Sequence, residues 1–196
     1  MDADHIDALV DAARAGGHWA FERLWLELSP RVAGYLRGRG VTEADDVTSE
    51  VFLAAFQGIG SFSGDGAAFR SWLFTIAHHR GVDWQRRTSR APAQRPYEHE
   101  RDDRTVASAE YGALTSLEDV EIRRLLAQLS PEQSDVMLLR VLGQLTIAEI
   151  ATATGRSEGA VKQLQRRAVA RLRLLLAENP PEPVPLGLFP TIAPSR

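Results

Sequence analysis

The spacing of apolar residues constrains the fold of this chain more than any other feature of its sequence. Apolar side chains recur at steps of three and four residues almost everywhere, and strict alternation with polar residues is rare. One such run is Phe21, Leu24, Leu28, Val32 and Leu36. Steps of this size place side chains on one face of an α-helix, whereas a half-buried strand alternates. The sequence therefore predicts an all-α fold.

Glycine and proline set the expected bounds of the first two helices. The first is predicted from about Ala3 to Arg14, and it stops at the glycine pair that begins with Gly16. The second begins near His18. Because proline lacks an amide hydrogen and clashes with the preceding turn, Pro30 predicts a kink or a break in this second helix.

Two more helices are predicted before position 91. Thr42 followed three places later by Asp45 resembles an N-terminal cap pair, and Gly58 is a plausible stop. The glycine- and serine-rich stretch 61–69 has the composition of a loop. The next helix is expected over residues 69–90.

The pattern then changes in a way that predicts two helical modules. Residues 1–90 form the first module, and residues 91–118 carry prolines and mixed charge, which is typical of a flexible linker. The second module is expected over residues 119–177. Residues 178–196 are a proline-rich tail, which serves either as a partner-binding or self-regulatory segment or as disordered decoration.

Composition excludes several function classes. The chain has no cysteine, so disulfides and thiolate metal sites are excluded. It shows neither a secretory signal pattern nor an apolar run of 18 or more residues, which indicates a cytoplasmic protein without membrane insertion. A net charge of -3 argues against a protein that coats DNA indiscriminately, although a local basic face on an acidic body is compatible with guided DNA binding.

Helix-end signals are dense in the second module. Ser130 with Gln133 and Thr146 with Glu149 have the spacing of capping boxes, and Gly155 suits a tight turn after the second of these helices. A small residue, a glycine turn and a branched apolar residue at these offsets let two helices cross closely. The segment is predicted to be a helix-turn-helix.

The second helix of that motif separates an apolar stripe from a basic face. Its inner stripe is Val161, Leu164, Ala168 and Leu172. Its predicted DNA-binding residues are Arg156, Ser157, Lys162, Gln163, Arg166 and Arg167. Arginine and glutamine can form paired hydrogen bonds with base edges, and the helix N-terminus offers backbone donors to a phosphate. The alternative is an ordinary amphipathic helix whose arginines face water.

Three sequence blocks carry a resemblance to a known family. They are "TEADDVTSEVFLAAFQGIGSF", "FRSWLFTIAHHRGVDWQRR" and "LSPEQSDVMLLRVLGQLTIAEIATATGRSEGAVKQLQRRAVARLR". In this order, the chain up to about Ala177 resembles a bacterial sigma factor of the extracytoplasmic-function (ECF) group within the sigma-70 family. The resemblance implies a region 2 helical bundle and a region 4 helix-turn-helix joined by a flexible linker.

The resemblance also implies a function and partners. Such a protein binds core RNA polymerase, through the beta-prime clamp helices and the beta flap, and directs promoter-specific transcription initiation. Region 4 reads the -35 element, and region 2 reads and melts the -10 element. An inhibitory anti-sigma protein held against both modules is a further partner that the resemblance allows. A stand-alone helix-turn-helix regulator is the alternative function.

Site residues in the first module follow from the same resemblance. Asp46, Ser49 and Glu50 match the polymerase-docking helix and share one helical face; a solvated acidic face is the alternative. The residues matching the -10 element surface are Phe62, His79, Arg80, Asp83, Arg86 and Arg87. Phe62 and Trp84 could stack on a flipped base, whereas Trp72 is expected in the core.

The chain departs from the family pattern at three places. His78 and His79 replace a common Arg-Asn pair, and Gly81 stands where a helix former is usual. Gln163 and Leu164 replace a frequent Ser-Arg pair, so one expected cation is missing. An enzyme with a metal site at His78, His79 and Asp83 is the remaining rival, but the spacing matches no recognised ligand motif. No catalytic residue, metal or cofactor is therefore expected.

Overall fold

The computed structural model describes residues 3–90, 122 and 124–178, and none of these residues lies in a β-strand. The helices are α1 (Ala3–Arg14), α2 (His18–Gly38), α3 (Ala44–Gly58), a 3-10 turn (Ile59–Ser61), α4 (Gly66–Arg90), α5 (Pro131–Val141), α6 (Ile147–Thr154) and α7 (Glu158–Glu178). The all-α prediction is confirmed. The predicted linker 91–118 and residues 179–196 of the predicted tail lie outside the described residues.

Helices α1 to α4 form a first bundle around an aromatic core. Tyr35, Phe52, Phe69 and Phe74 are all fully buried there. Phe52 makes edge contacts with Trp25 and with a further phenylalanine of α3, and Tyr35 makes one with Phe74. Edge-to-face aromatic pairs add to the stabilisation that apolar burial provides. The bounds of α1 and the end of α3 at Gly58 agree with the prediction.

Two boundaries in this bundle differ from the prediction. The break allowed for at Pro30 is absent, because α2 continues as one helix through it, and the kink there stays a prediction. Pro30 and Leu26, one turn earlier, are exposed, so solvent is close to the carbonyl that proline leaves without a donor. The predicted loop 61–69 is shorter than expected. Ser61 closes a 3-10 turn and α4 begins at Gly66, whose amide donates to Asp7 Oδ1 over 2.6 Å.

The predicted cap pair of α3 is also wrong. Glu43, not Thr42, occupies the N-cap position, and it makes no side-chain cap. Its Oε2 instead accepts a hydrogen bond from Trp84 Nε1 of α4 over 3.0 Å. Asp45 forms an exposed ion pair of 2.6 Å with Arg37. The residue at the N-cap position therefore makes a tertiary contact and no local cap.

Helices α5 to α7 form a smaller second bundle, in which the predicted helix-end signals are confirmed. Both capping boxes are formed, at Ser130 with Gln133 and at Thr146 with Glu149. Gly155 ends α6 in the left-handed conformation with φ 65°, which glycine adopts without a steric penalty. The apolar interior includes Leu139, Leu145, Ile150, Val161 and Ala168.

The two bundles pack directly against each other along a seam between α2, α4 and the second bundle. The Leu138 methyl groups cover Gly38, where a β-carbon would come within 2.9 Å of them. Leu142 covers Gly34 in the same way, and Gly143 lies against Phe74. Glycines on the seam therefore let the helices approach closely.

Candidate nucleic-acid and polymerase interfaces

The helix-turn-helix is built as the sequence predicts. α6 ends at Gly155, and the Ser157 hydroxyl then accepts a hydrogen bond of 3.2 Å from the Ala160 amide at the start of α7. Val161 is fully buried, and Ala151 of α6 is nearly so. Small residues at the crossing let α6 hold α7 with its N-terminal half facing outward.

The outward face of α7 is polar and basic. The side chains of all six residues predicted to bind DNA are exposed: Arg156, Ser157, Lys162, Gln163, Arg166 and Arg167. On the opposite side, Val161 and Ala168 are buried, and Leu164 and Leu172 are half-buried. The predicted separation of an inner stripe from a basic face is confirmed.

The acidic face of α3 is also exposed. Asp46, Ser49 and Glu50 face solvent, whereas Val47 and Val51 between them are buried. Glu50 makes an exposed ion pair of 3.7 Å with Arg80 of α4, which joins the predicted docking face to the predicted -10 surface.

Leu53 lies on the same exposed face of α3 and was not predicted as part of the docking surface. It follows Asp46 by seven residues and Glu50 by three, and it is 60% exposed. Residues at these spacings share one side of a helix. An apolar residue on a polar face is the signal that could have identified it.

The outer side of α4 brings the remaining -10 candidates together. His79, Arg80, Asp83, Arg86 and Arg87 are all exposed. Four of these residues line a shallow cleft of about 480 Å³, and Asp83 and Arg86 lie 3.8 Å apart. Three arginines around one carboxylate leave the surface positive, which suits nucleic-acid phosphates.

The aromatic residues near the loop are partly enclosed by their neighbours. Phe62 lies parallel to Trp72 at a centroid distance of 5.1 Å and edge-on to Phe69. Trp72 is half-buried and packs against Gly58, in agreement with its expected core position. Phe62 therefore has one ring face already covered, and Trp84 is held by its bond to Glu43.

The departures at His78 and Gly81 have a structural reason. His78 is buried, and its Nδ1 lies 2.9 Å from the Tyr35 hydroxyl. Burial lowers the pKa of His78 to about 4, with smaller contributions from the charges of Arg39, His79 and Arg156. Gly81 lies under Arg39 and Leu36, which a β-carbon would approach within 3.3 Å. Both residues shape the seam rather than an exposed surface.

His78 and Asp83 do not converge on a metal site. Across residues 3–90, 122 and 124–178, no group of three or more metal-ligating side chains is close enough to hold an ion. Within the same residues, no helix combines the length and apolarity needed to cross a bilayer.

Comparison with known proteins accounts for both bundles. The family model for Sigma-70 region 2 matches residues 24–91, and that for Sigma-70, region 4 matches residues 119–172. The chain is 36% identical to the ECF RNA polymerase sigma factor BldN of Streptomyces coelicolor over 181 residues, which cover 91% of this chain and 68% of BldN. The chain belongs to the ECF RNA polymerase sigma factors. It therefore belongs with proteins that bind core RNA polymerase and promoter DNA.

Other relatives of this ECF sigma factor are similar along most of their length. It is 32% identical to the ECF RNA polymerase sigma factor SigD of Mycobacterium tuberculosis, over 88% of this chain and 84% of SigD. Among solved structures, CnrH in complex with the cytosolic domain of CnrY is 26% identical, with a TM-score of 0.63 and coverage of 91% of this chain and 99% of CnrH. The predicted fold class and family are confirmed.

The family assignment gives a role to both halves of the molecule. A stand-alone helix-turn-helix regulator would explain the second bundle and leave the first without a function. As a sigma factor the chain acts in transcription initiation, and the match to region 2 covers the first bundle from α2 onward.

Proposed function

We propose that the exposed basic face of α7 reads the -35 element of this sigma factor's promoters. The observation that carries the proposal is the placement of Arg166 and Arg167 opposite buried Val161 and Ala168 on a helix that begins after a tight glycine turn. Arg156, Ser157, Lys162 and Gln163 complete the surface with phosphate-binding and base-reading groups.

The -10 element is assigned to the outer side of α4. Arg80, Arg86 and Arg87 supply positive charge beside Asp83 and His79, and Phe62 lies at the adjoining loop. A base leaving the duplex would stack on the face of Phe62 that does not lie on Trp72.

Docking on core RNA polymerase is assigned to the acidic face of α3. Asp46, Ser49 and Glu50 form an exposed row that suits a basic partner helix. The partner elements are the beta-prime clamp helices for this face and the beta flap for the second bundle. Leu53 adds an apolar contact at the end of the row.

Reconstitution with core polymerase tests the function as a whole. Adding the purified protein to core enzyme on genomic DNA should produce transcripts from a defined set of start sites. Transcripts that are no different from those of core enzyme alone would contradict the proposal. A gel shift with and without core enzyme separates it from a stand-alone regulator, which binds its operator unaided.

Matched variants test the two surfaces. Arg167→Ala should lower transcription from those start sites by the equivalent of about 1–3 kcal/mol, the value of a good base contact. Arg173→Ala, at an exposed position farther along α7, is its control. Glu50→Gln should weaken binding to core enzyme, whereas Asp11→Asn on α1 should leave it unchanged. Equal effects of a variant and its control would refute that surface assignment.

Regulation and domain bounds complete the proposal. We assign the modules to residues 1–90 and 119–177, with a linker at 91–118 and a tail at 178–196, and we place the protein in the cytoplasm with its polymerase. No catalytic role is assigned to it. An anti-sigma protein is its proposed inhibitor, since CnrH was solved with the cytosolic domain of another protein. A co-purified partner should abolish transcription when it is added back pure.

A further inference from the structure

A carboxylate of α1 holds the start of α4, at the end of the loop that carries Phe62. This loop, residues 62–65, joins the 3-10 turn to α4. The amide of Gly66, the first residue of α4, donates to Asp7 Oδ1 over 2.6 Å, across 59 positions of the chain. α1 precedes residues 24–91, which the region 2 model matches, so the family match assigns no role to Asp7.

The contact between Asp7 and Gly66 leaves no room for a β-carbon. A β-carbon at Gly66 would lie 2.6 Å from Asp7 Oδ1 and 2.6 Å from Ile6 Cγ2. Gly66 is buried, and Ile6 and Leu9 on the inner side of α1 are at most 3% exposed. A helix packed into a core supports a side chain more precisely than a loop does. α1 therefore presents the Asp7 carboxylate from a fixed position.

α4 has a local cap besides Asp7. The first amides of a helix lack partners within the helix, and a side-chain acceptor just before the helix satisfies one of them. Asp65 does this, since its Oδ1 accepts from the Ala68 amide over 2.8 Å. Asp7 adds a second acceptor from a different helix. This second bond fixes where α4 begins relative to α1.

The start of α4 sets the position of Phe62. The Phe62 ring lies parallel to Trp72 at a centroid distance of 5.1 Å and edge-on to Phe69 at 5.7 Å, and both partners belong to the first two turns of α4. Gly64, with φ 149°, brings the loop back over this ring, since a β-carbon there would lie 3.1 Å from Phe62 Cζ and 2.8 Å from Ala68 Cβ. The loop, the ring and the first two turns of α4 therefore pack as one unit.

We propose that Asp7 is a positioning residue for promoter opening, which holds the start of α4 so that Phe62 presents its uncovered ring face to a base leaving the -10 element. The inference rests on the proposed assignment of Phe62 to the -10 surface. A ring that is already in place loses less conformational freedom when the base arrives, so capture of the base is more favourable. Asp7 itself contacts neither DNA nor core polymerase, and it acts through Gly66 and Phe62.

Separate measurements of promoter binding and promoter opening test this role. The full chain is combined with core polymerase on a promoter from one of the mapped start sites. Filter retention in the cold measures binding before the strands separate, and fluorescence of 2-aminopurine placed in the -10 element measures the rate of opening. Asp7→Ala should leave the affinity of the closed complex within about twofold and slow opening about three- to tenfold, because only the capture of an unstacked base is impaired.

Three further variants separate the position of the oxygen from its charge. Asp7→Asn keeps an oxygen acceptor at the same place and should open the promoter at close to the wild-type rate. Asp7→Glu keeps the charge but moves the oxygen by one methylene, and it should slow opening as Asp7→Ala does. Asp11→Ala, at an exposed position one turn farther along α1, is the matched control and should change neither quantity.

A double-mutant cycle shows whether Asp7 acts through Phe62. Phe62→Ala should slow opening about tenfold, within the range that stacking of one base on an aromatic ring supplies. If Asp7 positions that ring, Asp7→Ala combined with Phe62→Ala should open the promoter no more slowly than Phe62→Ala alone. All variants are assayed with sigma factor in excess over core enzyme, and circular dichroism at the assay temperature verifies that each is folded.

The outcomes separate this inference from the proposed function. A Phe62→Ala protein that opens the promoter at the wild-type rate would overturn the -10 assignment of Phe62, and the role of Asp7 with it. If Phe62→Ala is slow, normal opening by Asp7→Ala would overturn the positioning role alone. Losses that multiply in the double variant, or equal losses of binding and opening in Asp7→Ala, would also overturn it, because a residue with a merely structural role produces them.

Discussion

The two bundles of this sigma factor are stabilised by different means. The first has an aromatic core, in which Phe52, Phe69 and Phe74 are fully buried. Residues 122–178, which include the whole second bundle, contain no phenylalanine, tyrosine or tryptophan. The second bundle relies on aliphatic packing, two capping boxes and the turn at Gly155. Long-range contacts thus define the first bundle, whereas local helix-end signals define much of the second.

Truncation of a core aromatic should have the largest effect. Phe52→Ala removes a fully buried ring between two aromatic neighbours, and it should lower the free energy of unfolding by about 3–5 kcal/mol in urea denaturation. Leu53→Ala, at the exposed next position, should change it by less than about 0.5 kcal/mol. If the two variants were equally stable, the aromatic core would not be what stabilises the first bundle.

The next largest effect is expected at the seam, in the pKa of His78. Its pKa should be near 4 in the wild-type protein, because burial and the adjacent positive charges disfavour the imidazolium. Leu138→Arg places a charge against Gly38 and should separate the bundles, so the pKa should rise toward 6.5. The titratable and charged groups around His78 are Tyr35, Arg39, His79, Asp135 and Arg156.

NMR of the imidazole carbons measures this pKa, with His78→Gln to assign the signal among the five histidines. The other four histidines are the internal reference. If Leu138→Arg leaves the His78 pKa near 4 while scattering shows an expanded molecule, the first bundle alone must bury this residue. The seam would then contribute little to its environment.

The glycine turn of the second bundle should matter more than an ordinary helix glycine. Gly155→Ala puts a β-carbon on a residue with φ 65°, which should cost about 1–2 kcal/mol of stability. Gly159→Ala, in the first turn of α7, adds a β-carbon whose nearest neighbour is the Ser157 hydroxyl at 4.0 Å, and it should stabilise the protein by up to about 1 kcal/mol. Thermal unfolding checks both. Two changes of the same sign would show that the turn does not need its left-handed residue.

Sequence reasoning succeeded where structure is local. The capping boxes at Ser130 and Thr146, the turn at Gly155 and the basic face of α7 depend on residues a few positions apart. It failed where a contact with a residue far away in the sequence determines the local structure. α3 has Glu43 rather than Thr42 at its N-cap position, and the Glu43 carboxylate bonds Trp84, 41 residues later in the chain, instead of capping the helix.

The ion pair between Arg39 and Asp135 at the seam is the extreme case of such distant pairing. Arg39 and Asp135 are 96 residues apart and share no motif, so no spacing rule could pair them. Gly81 is the one sequence feature that indicates a close contact here, since a glycine within a helix pattern is typical of close approach by another element. That element is the end of α2 with Arg39.

The smallest effect is expected at two helix starts, the capped start of α6 at Thr146 and the uncapped start of α3 near Thr42. Thr146→Ala removes the hydroxyl that accepts from the Glu149 amide over 3.3 Å, and it should cost about 1 kcal/mol of stability. Thr42→Ala changes an exposed side chain that caps no helix, so it should have almost no effect. Urea denaturation of both variants at one pH measures the difference. Equal losses would mean that Thr42 stabilises α3 after all, and that helix-end signals are as important in the first bundle as in the second.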